Sequence, residues 1–315
     1  MDRILVTGGA GFIGANLCSL LAEDPAIDEV VAYDDLSTGH LVNLPAGRRV
    51  RLVEADICDG ATLTEALEGA SAVVHLAARP SVPRSIADPA ASHRSNVTGT
   101  LEVLEAARRV GGVHVIVASS SSVYGSNPVL PKHEGLKPSP VSPYAAMKLA
   151  AETYALAWGA TFGMDVLAFR FFNVFGPLQT AGHAYAAALP AFISAASEGR
   201  PLPIHGDGRQ SRDFTYVGDV CAVLADALRR RVTEPEPVNL AFGSSTTLLE
   251  VVERLEVIFD RPLERQHLGV RPGDVRHSTA DQSRLRALFP DLAPLALGDG
   301  LQATVDWFGA RSAMS

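Results

Sequence analysis

An α/β fold, built on a doubly wound parallel sheet with a smaller C-terminal lobe, is predicted by three observations on this 315-residue chain. Short β-branched runs alternate with helix-length stretches through the first half. A glycine turn, Gly8-Gly9-Ala10-Gly11-Phe12-Ile13-Gly14, separates the first such run from the first helical stretch. After Asn173 the rhythm breaks into shorter pieces interrupted by Gly, Pro and polar residues. Strands that alternate with helices require right-handed crossovers, which lay helices on both faces of a parallel sheet.

Taken in order, Ile4–Thr7, Val30–Tyr33, Arg51–Glu54, Ala72–Leu76, His114–Ala118 and Val166–Phe169 read as buried parallel strands, short and rich in β-branched residues. Helix-like segments lie between them, notably Phe12–Glu23, Pro89–Val110 and Pro143–Phe162. Gly176–Gly218 and Arg261–Gly273 read as loops and parts of a small lobe over the carboxyl ends of the strands, where ligands of such sheets bind. The division expected is a Rossmann-type domain over 1–172 and a substrate-binding lobe over 173–315, with the chain crossing between them more than once.

Composition narrows the class. Hydrophobic residues are 47% of the chain and charged residues 20%, enough apolar material for a sizeable core. A formal net charge of −8 argues against nucleic-acid binding, which needs clustered Lys and Arg. Any anionic ligand is then held by a few placed arginines and not by the global field. Cys18, Cys58 and Cys221 are scattered and lack metal-ligand spacing, so they read as small core residues of a reducing compartment, with no metal site. The N-terminus runs straight into a strand, unlike a signal peptide or anchor, and no apolar run approaches the ~20 residues of a membrane helix. A cytoplasmic protein without membrane partners is expected.

The glycine spacing Gly8-x-x-Gly11-x-x-Gly14 lets backbone approach a pyrophosphate, which then rests on a helix N-terminus. The next strand ends at Asp34, 20 residues after Gly14, where a carboxylate accepts hydrogen bonds from an adenosine ribose. The same charge repels a 2′-phosphate, which favours NAD over NADP. Asp56, after the third strand, fits either an adenine-side partner or a helix cap.

Ser142-Pro143-Tyr144-Ala145-Ala146-Met147-Lys148 reads as a helix start, with Ser142 as N-cap and Pro143 in the first turn. Tyr144 and Lys148 then share one face. An ammonium beside a phenol is expected to lower the phenol's pKa from ~10 toward neutrality, as a general base requires. The spacing alone fits an ordinary amphipathic helix equally well. Ser119-Ser120-Ser121-Ser122 closes an apolar strand with hydroxyls. They suit either a substrate hydroxyl or a plain serine-rich turn.

In combination and in this chain order, the motifs resemble the extended short-chain dehydrogenases that modify nucleotide sugars. The resemblance rests on Thr7–Gly14, His75-Leu76-Ala77-Ala78, Asn96, Ser119–Gly125, Tyr144-x-x-x-Lys148 and Arg170-Phe171-Phe172-Asn173-Val174-Phe175-Gly176-Pro177. Gly206-Asp207-Gly208, Arg212-Asp213-Phe214 and Arg271-Pro272-Gly273-Asp274 extend it over essentially the whole chain. Among subfamilies the chain looks most like the UDP-hexose and UDP-N-acetylhexosamine 4-epimerases.

That resemblance implies bound NAD, a UDP-sugar substrate and a homodimer formed through helices over 96–110 and 143–162. It implies Tyr144 as base, Lys148 as the residue that orients the cofactor ribose, and Ser120 as the partner of the sugar 4-hydroxyl. Cofactor contacts would come from Gly8, Gly11, Phe12, Ile13 and Gly14, then Asp34, Asp35, Thr38 and Gly39. Asp56, Ile57, Leu76, Ala77, Ala78, Asn96, Ala118 and Phe171 would complete them. The sugar would meet Ser81, Arg84, Ser121, Ser122, Ala187, Ala188 and His205, and the nucleotide diphosphate Asn173, Arg212, Arg271 and Asp274. Arginine pairs a planar fork with phosphate oxygens, although Arg212 and Arg271 also suit surface ion pairs.

The same resemblance bears on the reaction. Related 4,6-dehydratases need an Asp-Glu pair directly after the position of Ser120, and UDP-glucuronate decarboxylases tend to carry Glu at the position of Ser122. Here those positions are Ser121 and Ser122, neither of which is a carboxylic acid. Epimerisation is expected; a uronate 4-epimerase, another dehydratase or decarboxylase, and a non-catalytic nucleotide-sugar binder are the alternatives. Ser278 falls at the position that gates space beside the sugar C2 substituent, bulky in hexose-limited epimerases, so N-acetylated sugars are expected to fit. Segments 81–85, 184–187 and 273–278 likewise look most like UDP-N-acetylglucosamine 4-epimerases.

Overall fold

A computed structural model describes residues 2–47, 49–181, 187–270 and 275–314. Six strands, β1 (Asp2–Thr7), β2 (Ile27–Asp34), β3 (Val50–Glu54), β4 (Ala72–His75), β5 (His114–Ser120) and β6 (Val166–Phe171), lie in the order β3-β2-β1-β4-β5-β6. A seventh, Val238–Leu240, joins beyond β6, and every pairing in the sheet is parallel. The seventh strand and helix Val217–Arg230 both follow residue 173, yet they belong to the sheet layer: the helix packs beside Phe12–Glu23 on one face. Helices Gly60–Leu67 and Gly99–Val110 cover the other face over Val73, Val115 and Val117. Neither the seventh strand nor helix Gly60–Leu67 stands out in the sequence. The strand is three residues long, and the helix is marked chiefly by Asp59, which caps the Ala61 and Thr62 amides.

The helix expected over Pro89–Val110 is present with a π turn at Arg94–Thr98. Such turns carry one extra residue and cluster at functional sites. Here the turn buries Asn96, whose side chain accepts from the Arg79 amide at 2.7 Å and donates to the Arg79 carbonyl at 3.2 Å.

The stretches expected as loops are only partly so. Ala188–Ser197 is a helix, and Leu202–His205 is a strand paired in parallel with Arg265–Leu268. Together with helix Leu248–Ile258 these elements bury a core that includes Phe192, Ile193, Ile204, Val251 and Leu255, which short apolar runs between glycines did not announce. No helix among the described residues is long and apolar enough to cross a membrane.

Candidate active site

Sheet order reverses at β1, which has β2 on one side and β4 on the other. A cleft of about 1040 Å³ opens over the carboxyl ends of these strands, where parallel sheets place ligands. The glycine turn forms its floor. Gly8 has φ +68°, and a Cβ there would lie 2.8 Å from the Ala77 amide nitrogen; a Cβ on Gly14 would lie 2.0 Å from the Gly8 carbonyl. Side chains at either position would collide with neighbouring backbone, so these glycines let the turn pack tightly between strand and helix N-terminus, the arrangement that presents backbone amides to a pyrophosphate.

Asp34 ends β2 at the rim. Its carboxylate accepts from the amides of Ala10 at 3.0 Å and Leu36 at 2.9 Å while still facing the cleft. Burial raises its pKa, and those two amides oppose the shift. Gly8, Gly11, Phe12, Ile13, Gly14, Asp34, Asp35 and Thr38 line the cleft, as do Asp56, Ile57, Leu76, Ala77, Ala78, Ala118 and Phe171. Two of the expected cofactor contacts do not. A Cβ on Gly39 would press against the Asp34 carboxylate at 2.8 Å, so this glycine seats the acid. Asn96 is spent on the Arg79 backbone, which fixes the loop after β4. Asp56 lines the wall and pairs with Arg94 at 3.1 Å; Asp59 provides the helix cap.

The same wall carries Ser120, Tyr144 and Lys148. Ser142 caps the helix by accepting from the Ala145 amide at 3.2 Å, and Pro143 occupies its first turn. The Ser120 hydroxyl lies beside the Tyr144 phenol and accepts from the Ser122 amide at 3.2 Å and the Ser122 hydroxyl at 2.9 Å. Ser122 therefore orients Ser120 and lies outside the described cleft wall, whereas Ser121 lines it. Burial raises the Tyr144 phenol above its ordinary value, and the neighbouring Ser120 hydroxyl works against that. Burial also brings Lys148 down to about 8, while its ammonium donates to the Ala118 carbonyl at 2.8 Å. The expected lowering of the phenol by Lys148 is thus overturned for the protein alone, because desolvation dominates and the ammonium is turned toward the strand end.

Beneath this group lies a network that sequence patterning did not single out. Glu152, one turn beyond Lys148 on the same helix, accepts from Ser119 at 2.6 Å and from Arg170 at 2.9 and 2.7 Å. Arg170 lies over the Tyr124 ring, 4.7 Å from its centroid, and Tyr124 donates to Asn239 on the seventh strand. A Tyr-x-x-x-Lys-x-x-x-Glu repeat was the available signal. His75 is equally closed off: it sits between the hydroxyls of Thr7 at 2.8 Å and Thr100 at 3.0 Å. Because the Thr100 hydroxyl donates to the Asn96 carbonyl, and Thr7 accepts from the Ala77 amide, the ring is satisfied as a neutral imidazole with its proton on Nε2. Burial holds it neutral, with a pKa of about 3.

Of the expected sugar and diphosphate contacts, Arg84 and Asn173 line the cleft. Ser81 caps the short helix Val82–Ala87 behind it. That helix and the next, Pro89–His93, add Ala87 and Ala91 to the wall, and the π turn adds Arg94; Ser81 and Asp88 before Pro83 and Pro89 were the helices' readable start signals. Arg212 and Ser278 pair across a three-stranded ribbon, where Arg212 donates to the carbonyls of Ser211 and Arg276. His205 bonds the Gly269 carbonyl, and Ala187 and Ala188 start the helix at Ala188–Ser197. None of these five is in the described cleft wall. Arg271, Asp274 and Ala184–Ala186 lie outside the described residues.

A parallel sheet with a glycine turn under its switch point, an acid at the second strand end, and a tyrosine and lysine on one helix defines a dinucleotide-binding α/β protein. Residues 4–241 match the NAD dependent epimerase/dehydratase family, and the chain belongs to it. It is 36% identical to the UDP-glucose 4-epimerase of Mycolicibacterium smegmatis, over 98% of this chain and 99% of the relative. It is 35% identical to a dTDP-glucose 4,6-dehydratase of Streptomyces niveus, over 97% and 92%. Among solved structures it resembles the UDP-N-acetylglucosamine 4-epimerase from Methanobrevibacter ruminantium M1 in complex with UDP-N-acetylmuramic acid. That match has a TM-score of 0.92 and 35% identity, and covers 98% of this chain and 99% of the other. The cofactor is NAD, which the glycine floor and the Asp34 carboxylate fit.

Proposed function

We propose that this protein is a 4-epimerase of a UDP-sugar, acting on UDP-GlcNAc and UDP-GalNAc, on UDP-glucose and UDP-galactose, or on both pairs. The observation that carries the reading is the convergence of Ser120, Tyr144 and Lys148 on one wall of the NAD cleft, followed by Ser121 and Ser122 where related dehydratases carry an acid pair. NAD bound there supplies a reversible hydride acceptor, the chemistry needed to invert a hydroxyl-bearing carbon through a transient 4-keto sugar. Tyr144, ionised where the positive charges of bound NAD and Lys148 offset its burial, would take the 4-hydroxyl proton and return it. Ser120, held from behind by Ser122, directs that hydroxyl at the phenol. Lys148 keeps its charge at the strand end through the Ala118 carbonyl and orients the cofactor ribose. Asn173, anchored to the Asp213 carbonyl at 3.1 Å, presents its side chain to the nucleotide diphosphate.

A uronate substrate is the second reading, because Arg84 faces the cleft and has no acidic partner among the described residues. The protein would act as a homodimer through helices Gly99–Val110 and Pro143–Phe162, where Phe162 is left half exposed. The test is incubation of the purified protein, without added cofactor, with UDP-GlcNAc, UDP-glucose and UDP-glucuronate in parallel. The C4 epimer of at least one is the expected product. A dehydrated or decarboxylated product, or no conversion of any, overturns the reading.

A further inference from the structure

We propose that Ser85 is a positioning residue that ties the sugar-facing segment 81–87 to the backbone of Tyr144; the inference rests on the role given to Tyr144 above. Tyr144 is the second residue of its helix, so its amide has no partner within the helix. Ser142 does not satisfy it: the Ser142 hydroxyl takes the Ala145 amide and the Ser142 carbonyl takes the Ala146 amide. The Tyr144 amide instead donates to the Ser85 hydroxyl at 3.0 Å, across 59 residues of sequence. Ser85 in turn donates to the Val82 carbonyl at 2.7 Å. Ser85 is fully buried, so no water stands ready to replace it.

What Ser85 connects gives the bond its consequence. It lies one residue after Arg84 and two before Ala87, both in the cleft wall. Its helix starts from Ser81, whose φ of +93° is a strained conformation for a residue with a side chain. Such strain persists only where surroundings over-determine it, and it clusters at ligand clamps. Through one hydroxyl, the segment that meets the sugar and the first turn that carries the phenol become a single body. Without it, the helix start is free to fray, and the phenol loses its fixed distance from Ser120.

Parent and Ser85→Ala proteins, both carrying NAD, provide the test. The Tyr144 amide should exchange with solvent at least ~10-fold faster in the variant, since its hydrogen bond is gone. KM should stay within about twofold while kcat falls about 10- to 100-fold, the scale of a small misplacement of a reacting group. Ser85→Thr, which retains the hydroxyl, should restore slow exchange and most of kcat. If Ser85→Ala does not fold, Ser85→Cys, with a weak acceptor, takes its place in both measurements. Unchanged exchange at Tyr144, or a kcat within twofold of the parent, overturns the inference. A parent inactive on every UDP-sugar refutes the function instead, and the exchange comparison still tests the Ser85–Tyr144 tie.

Discussion

Glu152→Gln keeps the shape of the side chain and removes one buried charge. In the parent, Glu152 and Arg170 are 4% and 3% exposed at their side chains and meet through two hydrogen bonds of 2.9 and 2.7 Å. Burial works against the Arg170 charge, but Glu152 and Tyr124 outweigh it, so its pKa stands above the ordinary value and the charge cannot be shed. The glutamine variant leaves that cation buried with Nη1 already lacking a hydrogen-bond partner. Breaking one side of such a pair costs about 3–5 kcal/mol. At the lower figure the folding equilibrium shifts by about two orders of magnitude. Urea unfolding of parent and Glu152→Gln, at equal NAD, should therefore separate clearly in midpoint with similar slope. Replacing both partners, as Glu152→Met with Arg170→Met, should recover most of the loss, because no unpaired charge remains. A single-variant loss below about 1 kcal/mol, the scale of an exposed pair, would refute the reasoning.

Four further outcomes follow from the site. Tyr144→Phe should fold, retain NAD and lose at least ~10²-fold in kcat, the scale of a missing general base; turnover near that of the parent rules Tyr144 out. Asp34→Ala should weaken NAD binding and narrow the preference over NADP, and extraction of mainly the phosphorylated cofactor from the parent would contradict the role of Asp34. Ser278→Tyr should abolish activity on UDP-GlcNAc while activity on UDP-glucose persists, since steric exclusion sets such specificity; equal losses on both would show that Ser278, buried in its ribbon, is no gate. Lys148 has a folded pKa of about 8 against an ordinary 10.5, so the unfolded chain binds more protons between those values and this group adds stability as pH rises from 8 to 10.5. In cofactor-free protein, the stability of the parent relative to Lys148→Met should climb across that window, and a flat difference would contradict the burial of the ammonium.

Local patterning was enough for the strands in the first half of the fold. Runs such as Val30–Tyr33 and Val166–Phe169 are apolar on both faces, which only a covered parallel sheet explains, and the glycine turn and Asp34 are tied to the strand ends that follow from it. Tyr144 and Lys148 were legible for the same reason, since four residues of helix place them on one face whatever the rest of the chain does. Folding alone decided what lies around them. The seventh strand is three residues whose identity as strand comes from pairing with β6, and the second lobe becomes helix and strand only because its apolar runs find one another. The phenol pKa illustrates the division. Spacing put an ammonium within a turn of Tyr144, but the sign of the shift depends on burial and on where that ammonium points, and the Ala118 carbonyl that draws it belongs to a strand 30 residues away. Ser85, 59 residues from the amide it holds, carries no local pattern at all. Sequence sets periodicities and residue types within a few turns, whereas desolvation and long-range hydrogen bonds exist only once distant segments have been brought together.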